Sequence, residues 1–117
     1  MGEERKPFFR RVMDDMLDNE TAEHIAEQKA ALEANPDWAD GHYHLAQLYR
    51  VQQRSLDAKR ELLIALEKKP LLAEAHLALG EIYIAEGDLD RAREHAQIAA
   101  QLGNGRLLDQ LRKYDFS

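Results

Sequence analysis

Apolar side chains recur three and four positions apart along most of this chain, with polar residues between them. Leu45, Leu48 and Tyr49, followed by Gln52, keep i, i+3, i+4, i+7 spacing, which places them on one face of a helix. The same rhythm carries Ala58, Leu62, Ala65 and Leu66, then Leu79, Ile82 and Tyr83, then a segment from Leu89 to Leu102. Residues that start or stop helices stand between these runs. Pro36 and Pro70 bias the residue before each away from the α region, so helices end near Asn35 and Lys69. Gly87 suits a left-handed turn, and Asp37, Ser55 and Asp88 each offer an N-cap oxygen. Upstream, Ala22, Ile25, Ala26 and Leu32 mark a helix over 20–34. Phe9, Val12, Met13, Met16 and Leu17 mark a shorter one before it, with Asn19 as the break. Downstream of Gly103-Asn104-Gly105, the residues Leu107, Leu108, Leu111 and Tyr114 mark a last helix. The pattern predicts an all-α chain of seven helices, with residues 1–7 and 115–117 frayed.

Pro36 and Pro70 lie 34 residues apart, a spacing that calls for a repeat search. A shift of 34 superposes Ala39 on Ala73, His42 on His76, Leu45 on Leu79 and Tyr49 on Tyr83. It also superposes Ala58 on Ala92, Ile64 on Ile98 and Ala65 on Ala99. Each unit reads as a helical hairpin. Small residues let the paired helices approach closely, and Leu45/Leu79 and Tyr49/Tyr83 fill the gap between them. One hairpin cannot bury its apolar face alone, so neighbours stack and the end needs a polar cap. The chain divides accordingly into a flexible arm (1–7), a degenerate helix pair (8–36), two repeats (37–70 and 71–104) and a C-terminal capping helix with its tail (105–117).

These residues give the chain its resemblance to the tetratricopeptide repeat (TPR) family. The first full repeat supplies His42, Leu45-Ala46, Tyr49, Ala58, Leu62, Ala65 and Pro70. The second supplies His76, Leu79-Gly80, Tyr83, Gly87, Ala92, Ala96, Ala99 and Asn104. Ala31 to Pro36 looks like the end of a preceding repeat. The sequence departs from the family pattern in three ways. His replaces Trp at the first position of both repeats, Gln53 stands where Gly is the rule, and Asn104 stands where Pro is. The resemblance implies a short right-handed α-solenoid of helix-turn-helix repeats.

Composition agrees with packed helices. Apolar residues make up 44% and charged residues 32%, while only 7% are aromatic. Sixteen basic residues against 22 acidic ones give a net charge of −6, which disfavours nucleic acid and anionic membrane as partners. Without Cys there are no disulfides and no thiolate metal sites. The apolar run Leu62–Leu66 is far below the ~20 residues that span a bilayer. Arg10-Arg11 follows Phe8-Phe9 too closely for an export signal, so a cytoplasmic protein is expected. Hydroxyl nucleophiles are few (Thr21, Ser55 and Ser117), and no phosphate-cradling loop follows a strand. His42 and His44 are two apart on a helix and point roughly 200° apart, so they cannot share a metal. No enzyme, cofactor or metal is expected. His42 and His76 read as half-buried between helices, and His24 and His95 as surface or boundary residues.

The resemblance also implies where a partner sits, because in that family the first helix of each repeat lines a concave groove. The matching positions here are Asp40, Tyr43, Gln47 and Arg50, then Glu74, Leu77, Glu81 and Ile84. Tyr43, Leu77 and Ile84 form a candidate exposed apolar patch there. Only Arg50 is basic, so the carboxylate clamp of some relatives is not expected. An acidic and apolar groove suits a peptide or helix with basic and apolar side chains. The expected function is a protein–protein interaction module, an adaptor or accessory subunit. The alternatives are a self-assembling homo-oligomer, docked through Phe8, Phe9, Met13 and Met16 or through Leu108 and Tyr114, and an assembly factor or chaperone for an enzyme subunit.

Overall fold

The computed structural model describes the backbone of residues 8–113 and the side chains of residues 19–113. The described residues form six α-helices and no strand: α1 (Phe8–Ala34), α2 (Ala39–Val51), α3 (Ser55–Lys68), α4 (Ala73–Ala85), α5 (Leu89–Gln101) and α6 (Arg106–Arg112). The expected arm over 1–7, Tyr114 and the tail lie outside the described residues.

The helices stack in chain order. α2 pairs with α3 and α4 with α5 as hairpins, and α3 joins the hairpins by packing on α4. α1 covers α2 at one end, and α6 covers α5 and α4 at the other. The result is a short α-solenoid of helix-turn-helix repeats with a C-terminal cap. Its extents of 50 × 44 × 20 Å are those of a slab. Its surface of 8009 Å² exceeds the roughly 6,500 Å² expected for a rounder chain of this mass.

One element departs from expectation. The break at Asn19 does not occur, and α1 runs unbroken for 27 residues. No Gly or Pro lies between Phe8 and Ala34, and a lone Asn costs a helix only about half a kcal/mol relative to Ala. Of the stripe expected over 20–34, Ile25 and Leu32 are buried while Ala22 and Ala26 face solvent. The seam of α1 on α2 is therefore narrow.

The core follows the repeat. Leu62 and Leu79 are the largest fully buried side chains, and each contributes about 2 kcal/mol through removal from water. Ala46, Ala58, Ala65, Ala92, Ala96 and Ala99 are fully buried where helices cross. At Gly80, the equivalent of Ala46, the missing methyl group seats α6. A Cβ there would lie 2.5 Å from Leu107 Cδ2. Leu107 and Leu111 are the buried side of that cap.

The turns inside the two hairpins are copies. Arg54 N donates to Tyr49 O and Asp88 N donates to Tyr83 O, both at 2.9 Å. The residue before each donor is left-handed, Gln53 at φ 60° and Gly87 at φ 80°. The caps differ. Asp88 caps α5 by accepting from Arg91 N at 3.1 Å, as its sequence position predicts. Asp37 and Ser55 do not cap: the N-cap residues of α2 and α3 are Trp38 and Arg54, without a side-chain bond. Asp37 instead pairs with Lys68 Nζ at 3.1 Å, and Ser55 is already the first residue of α3.

Candidate functional site

The first helices of the repeats and the cap share one face, and Glu81 marks it. One carboxylate oxygen of Glu81 takes Arg50 Nη2 from α2 at 3.1 Å. The other lies 3.8 Å from Arg106 Nη2 on α6. Arg50 Nη1 also donates to Gln47 Oε1 at 3.3 Å. These groups are half-exposed, so each ion pair stabilises the fold by less than about 1 kcal/mol. They link side chains of α2 and α6 to Glu81 on α4.

Toward the N-terminal ends of α2 and α4, a cleft of about 380 Å³ opens between Asp40, Tyr43, His44, Lys69, Leu71 and Glu74. Asp40 and Glu74 are exposed carboxylates in the first turns of their helices, and Asp40 lies 4.0 Å from Lys69 Nζ. Tyr43 is half-buried between them. Burial raises its phenol above the ordinary value, the Glu74 charge raises it further, and Arg50 opposes both. The hydroxyl therefore stays neutral at physiological pH and remains both donor and acceptor.

Among the other expected groove positions, Gln47, Arg50 and Glu81 are half-buried on the same face. Leu77 is only 7% exposed and belongs to the core, so Tyr43, Leu77 and Ile84 do not form one exposed apolar patch. α4 is sandwiched between α3 on one side and α5 and α6 on the other, and eight of its thirteen residues are buried. That sandwich removes the second apolar stripe of α4 from solvent. Ile84 is exposed but elsewhere, at a cleft of about 590 Å³ with Leu89, Arg93, Gln110, Leu111 and Lys113.

The buried histidines occupy matched sockets. His42 Nε2 donates to Pro36 O at 2.8 Å, and His76 Nε2 donates to Pro70 O at 2.9 Å. The first-position histidines thus tie each repeat to the proline turn before it. Their other ring nitrogens differ in partner: His42 Nδ1 lies 2.7 Å from Glu61 Oε1, and His76 Nδ1 lies 3.0 Å from His95 Nδ1. From sequence, His95 reads only as a surface or boundary residue. The 34-residue register, which matches Glu61 with His95, is the signal that could have found it. His44 and His24 are exposed, and His44 points away from His42. Among the described residues, no three His, Asp or Glu side chains converge as a metal site, and no helix is long and apolar enough to cross a membrane.

The fold these elements define is that of a TPR-like helical repeat. No protein-family model matches the chain, and no curated protein matches it in sequence. Among solved structures it is similar to the crystal structure of MamA, a TPR-like protein, with a TM-score of 0.69 at 22% identity. The match covers 75% of this chain and 52% of that one, so this chain spans about half the length of that relative.

Proposed function

We propose that this chain is a non-catalytic interaction module that presents the α2–α4–α6 face to another polypeptide. The observation that carries the reading is the α2–α4 cleft. Two exposed carboxylates, Asp40 and Glu74, flank half-buried Tyr43, with Leu71 69% exposed beside them. Carboxylates next to apolar surface favour a ligand with basic and apolar side chains, as an extended peptide or a helix. A role as adaptor or accessory subunit fits such a face.

The test is a peptide array read by fluorescence anisotropy, with wild type and an Asp40→Lys/Tyr43→Ala/Glu74→Lys variant of unchanged helicity. Asp40 and Glu74 are exposed and Tyr43 packs on the edge of the core, so helicity is checked for the variant and Asp40→Lys/Glu74→Lys serves if the triple change unfolds it. Peptides rich in Lys, Arg and Leu should bind the wild type and lose at least tenfold in affinity with the variant. Equal binding by the two proteins, or a preference for acidic peptides, overturns the assignment.

A second reading, self-association, is favoured by the cleft at the last hairpin. Ile84 and Leu89 are exposed there beside Leu111. Light scattering over a concentration series checks it. A mass that grows with concentration, and that Leu89→Asp returns to the monomer value, supports it, and a constant monomer mass removes it.

A further inference from the structure

His76 and His95 form an N–H···N bond that holds α5 to α4, and its proton inventory is tightly limited. Pro70 O is an acceptor only, so His76 Nε2 carries a proton and His76 Nδ1 is bare. The bond of 3.0 Å therefore requires His95 Nδ1 to donate. The neutral pair then has one free lone pair, on His95 Nε2. A first added proton leaves the bond intact, either on His95 Nε2 or on His76 Nδ1 with His95 Nδ1 turned acceptor and its proton moved to Nε2. With His76 charged, the next proton goes on His95 Nδ1, the two N–H groups then face each other, and the bond is lost.

The equivalent pair in the first hairpin has different hydrogen-bond partners. Both ring nitrogens of His42 face oxygen acceptors, Pro36 O and Glu61 Oε1. A proton gained by that ring adds a donor where an acceptor already waits. The two hairpins thus share one lattice position, filled by Glu61 in one and His95 in the other.

We propose that the His76–His95 pair is a pH-sensitive fastener: acidification releases α5 from α4, while the His42–Glu61 pair keeps α3 on α2.

The surroundings of the pair favour release. On α4, Tyr83 stacks on His95 with ring centroids 5.6 Å apart. Two cations already lie over that tyrosine, Lys59 from α3 at 5.0 Å and Arg91 from α5 at 5.8 Å. Glu86 at the end of α4 takes Lys59 at 2.8 Å. Among the described residues, Glu94 on α5 is the one carboxylate that acts on His95, and α6 presents the apolar Leu107 nearby, across Gly80. Burial, and then the charge of His76, lower the titration of His95 below its ordinary 6.5, and Glu94 opposes them more weakly. The sign follows. A folded value below the unfolded one means that the stability from this pair is present above pH 6.5 and is lost as pH falls through the folded value. Each proton that the open state binds and the closed state refuses shifts the opening equilibrium by up to about tenfold per pH unit. Release of α5 also frees Gly80 and Leu107, so the seat of α6 loosens with it.

The experiment is residue-resolved amide hydrogen exchange of the full chain at pH 7.5, 6.5 and 5.5, corrected for intrinsic exchange. It compares wild type, His95→Glu and His95→Gln. Glu copies the first hairpin, and Gln keeps an uncharged donor toward His76 Nδ1. In wild type, α5 should lose protection by up to about fivefold between pH 6.5 and 5.5 while α2 and α3 change less than twofold. Both variants should flatten the response of α5. Equal loss in α3 and α5 of the wild type, or a wild-type response in His95→Gln, overturns the proposal. If His95→Glu fails to fold, His95→Gln decides alone.

Discussion

The repeat gives an internal control for the strain of a left-handed residue. Gln53 and Gly87 hold the same place in two turns with matching hydrogen bonds, at φ 60° and 80°. A Cβ at Gly87 would meet nothing within 4 Å, so space does not distinguish the sites and backbone conformation does. A non-glycine residue in this region costs about 1–2 kcal/mol, and the freer unfolded chain of glycine returns roughly 0.5–1 kcal/mol of any gain. The balance for Gln53→Gly is a stabilisation of about 0.5–1 kcal/mol, and Gly87→Gln should destabilise by a similar amount. At this chain length about 1 kcal/mol moves Tm by roughly 3–6 °C. Thermal melts followed by circular dichroism at pH 7.5, with denaturant titrations for ΔG, give both numbers. A lower Tm for Gln53→Gly, or an unchanged Tm for Gly87→Gln, would refute the reasoning, because the two turns would then differ by something other than the missing side chain.

Other expectations follow from burial and capping. Leu62→Ala should cost about 3 kcal/mol, because Leu62 is fully buried at the α2–α3 crossing, whereas its neighbour Leu63, 48% exposed, should lose less than about 1 kcal/mol on the same change; urea unfolding separates them. Asp88→Ala should cost about 1 kcal/mol by removing the α5 cap, and Ser55→Ala should be nearly neutral because Ser55 caps nothing; equal losses in denaturant melts would contradict the cap geometry. Gly80→Ala should push Leu107 away and speed hydrogen exchange in α6 more than in α2; unchanged exchange in α6 would show that Leu107 turns aside freely.

The repeat was legible because it is written in residue size. Alanines at the crossings and Leu45, Leu79, Tyr49 and Tyr83 between them recur at a period that only stacked hairpins explain. What depended on single backbone positions was less legible. Asp37, Ser55 and Asp88 are all good capping residues, yet only Asp88 caps, because the other two helices start one residue away from where their side chains could reach. Asn19 resembles a stop, but no Gly or Pro supports it and the helix runs through. Of the positions that the family resemblance assigns to the groove, Asp40 and Glu74 are exposed. Leu77 is not, because it is buried on a helix that is apolar on most sides and packed by α3, α5 and α6. His95 was missed for a different reason. Its neighbours on α5 mark it as a boundary residue, and only the partner across the hairpin, His76, gives it a role.

The sole tryptophan of the chain, Trp38, sits where α1 turns into α2, its ring against the space that a Cβ on Gly41 would need. Indole emission therefore watches the first joint and is silent about the last hairpin, two helices away. Any unfolding of this chain followed by fluorescence alone would report a protein whose far end had never been asked.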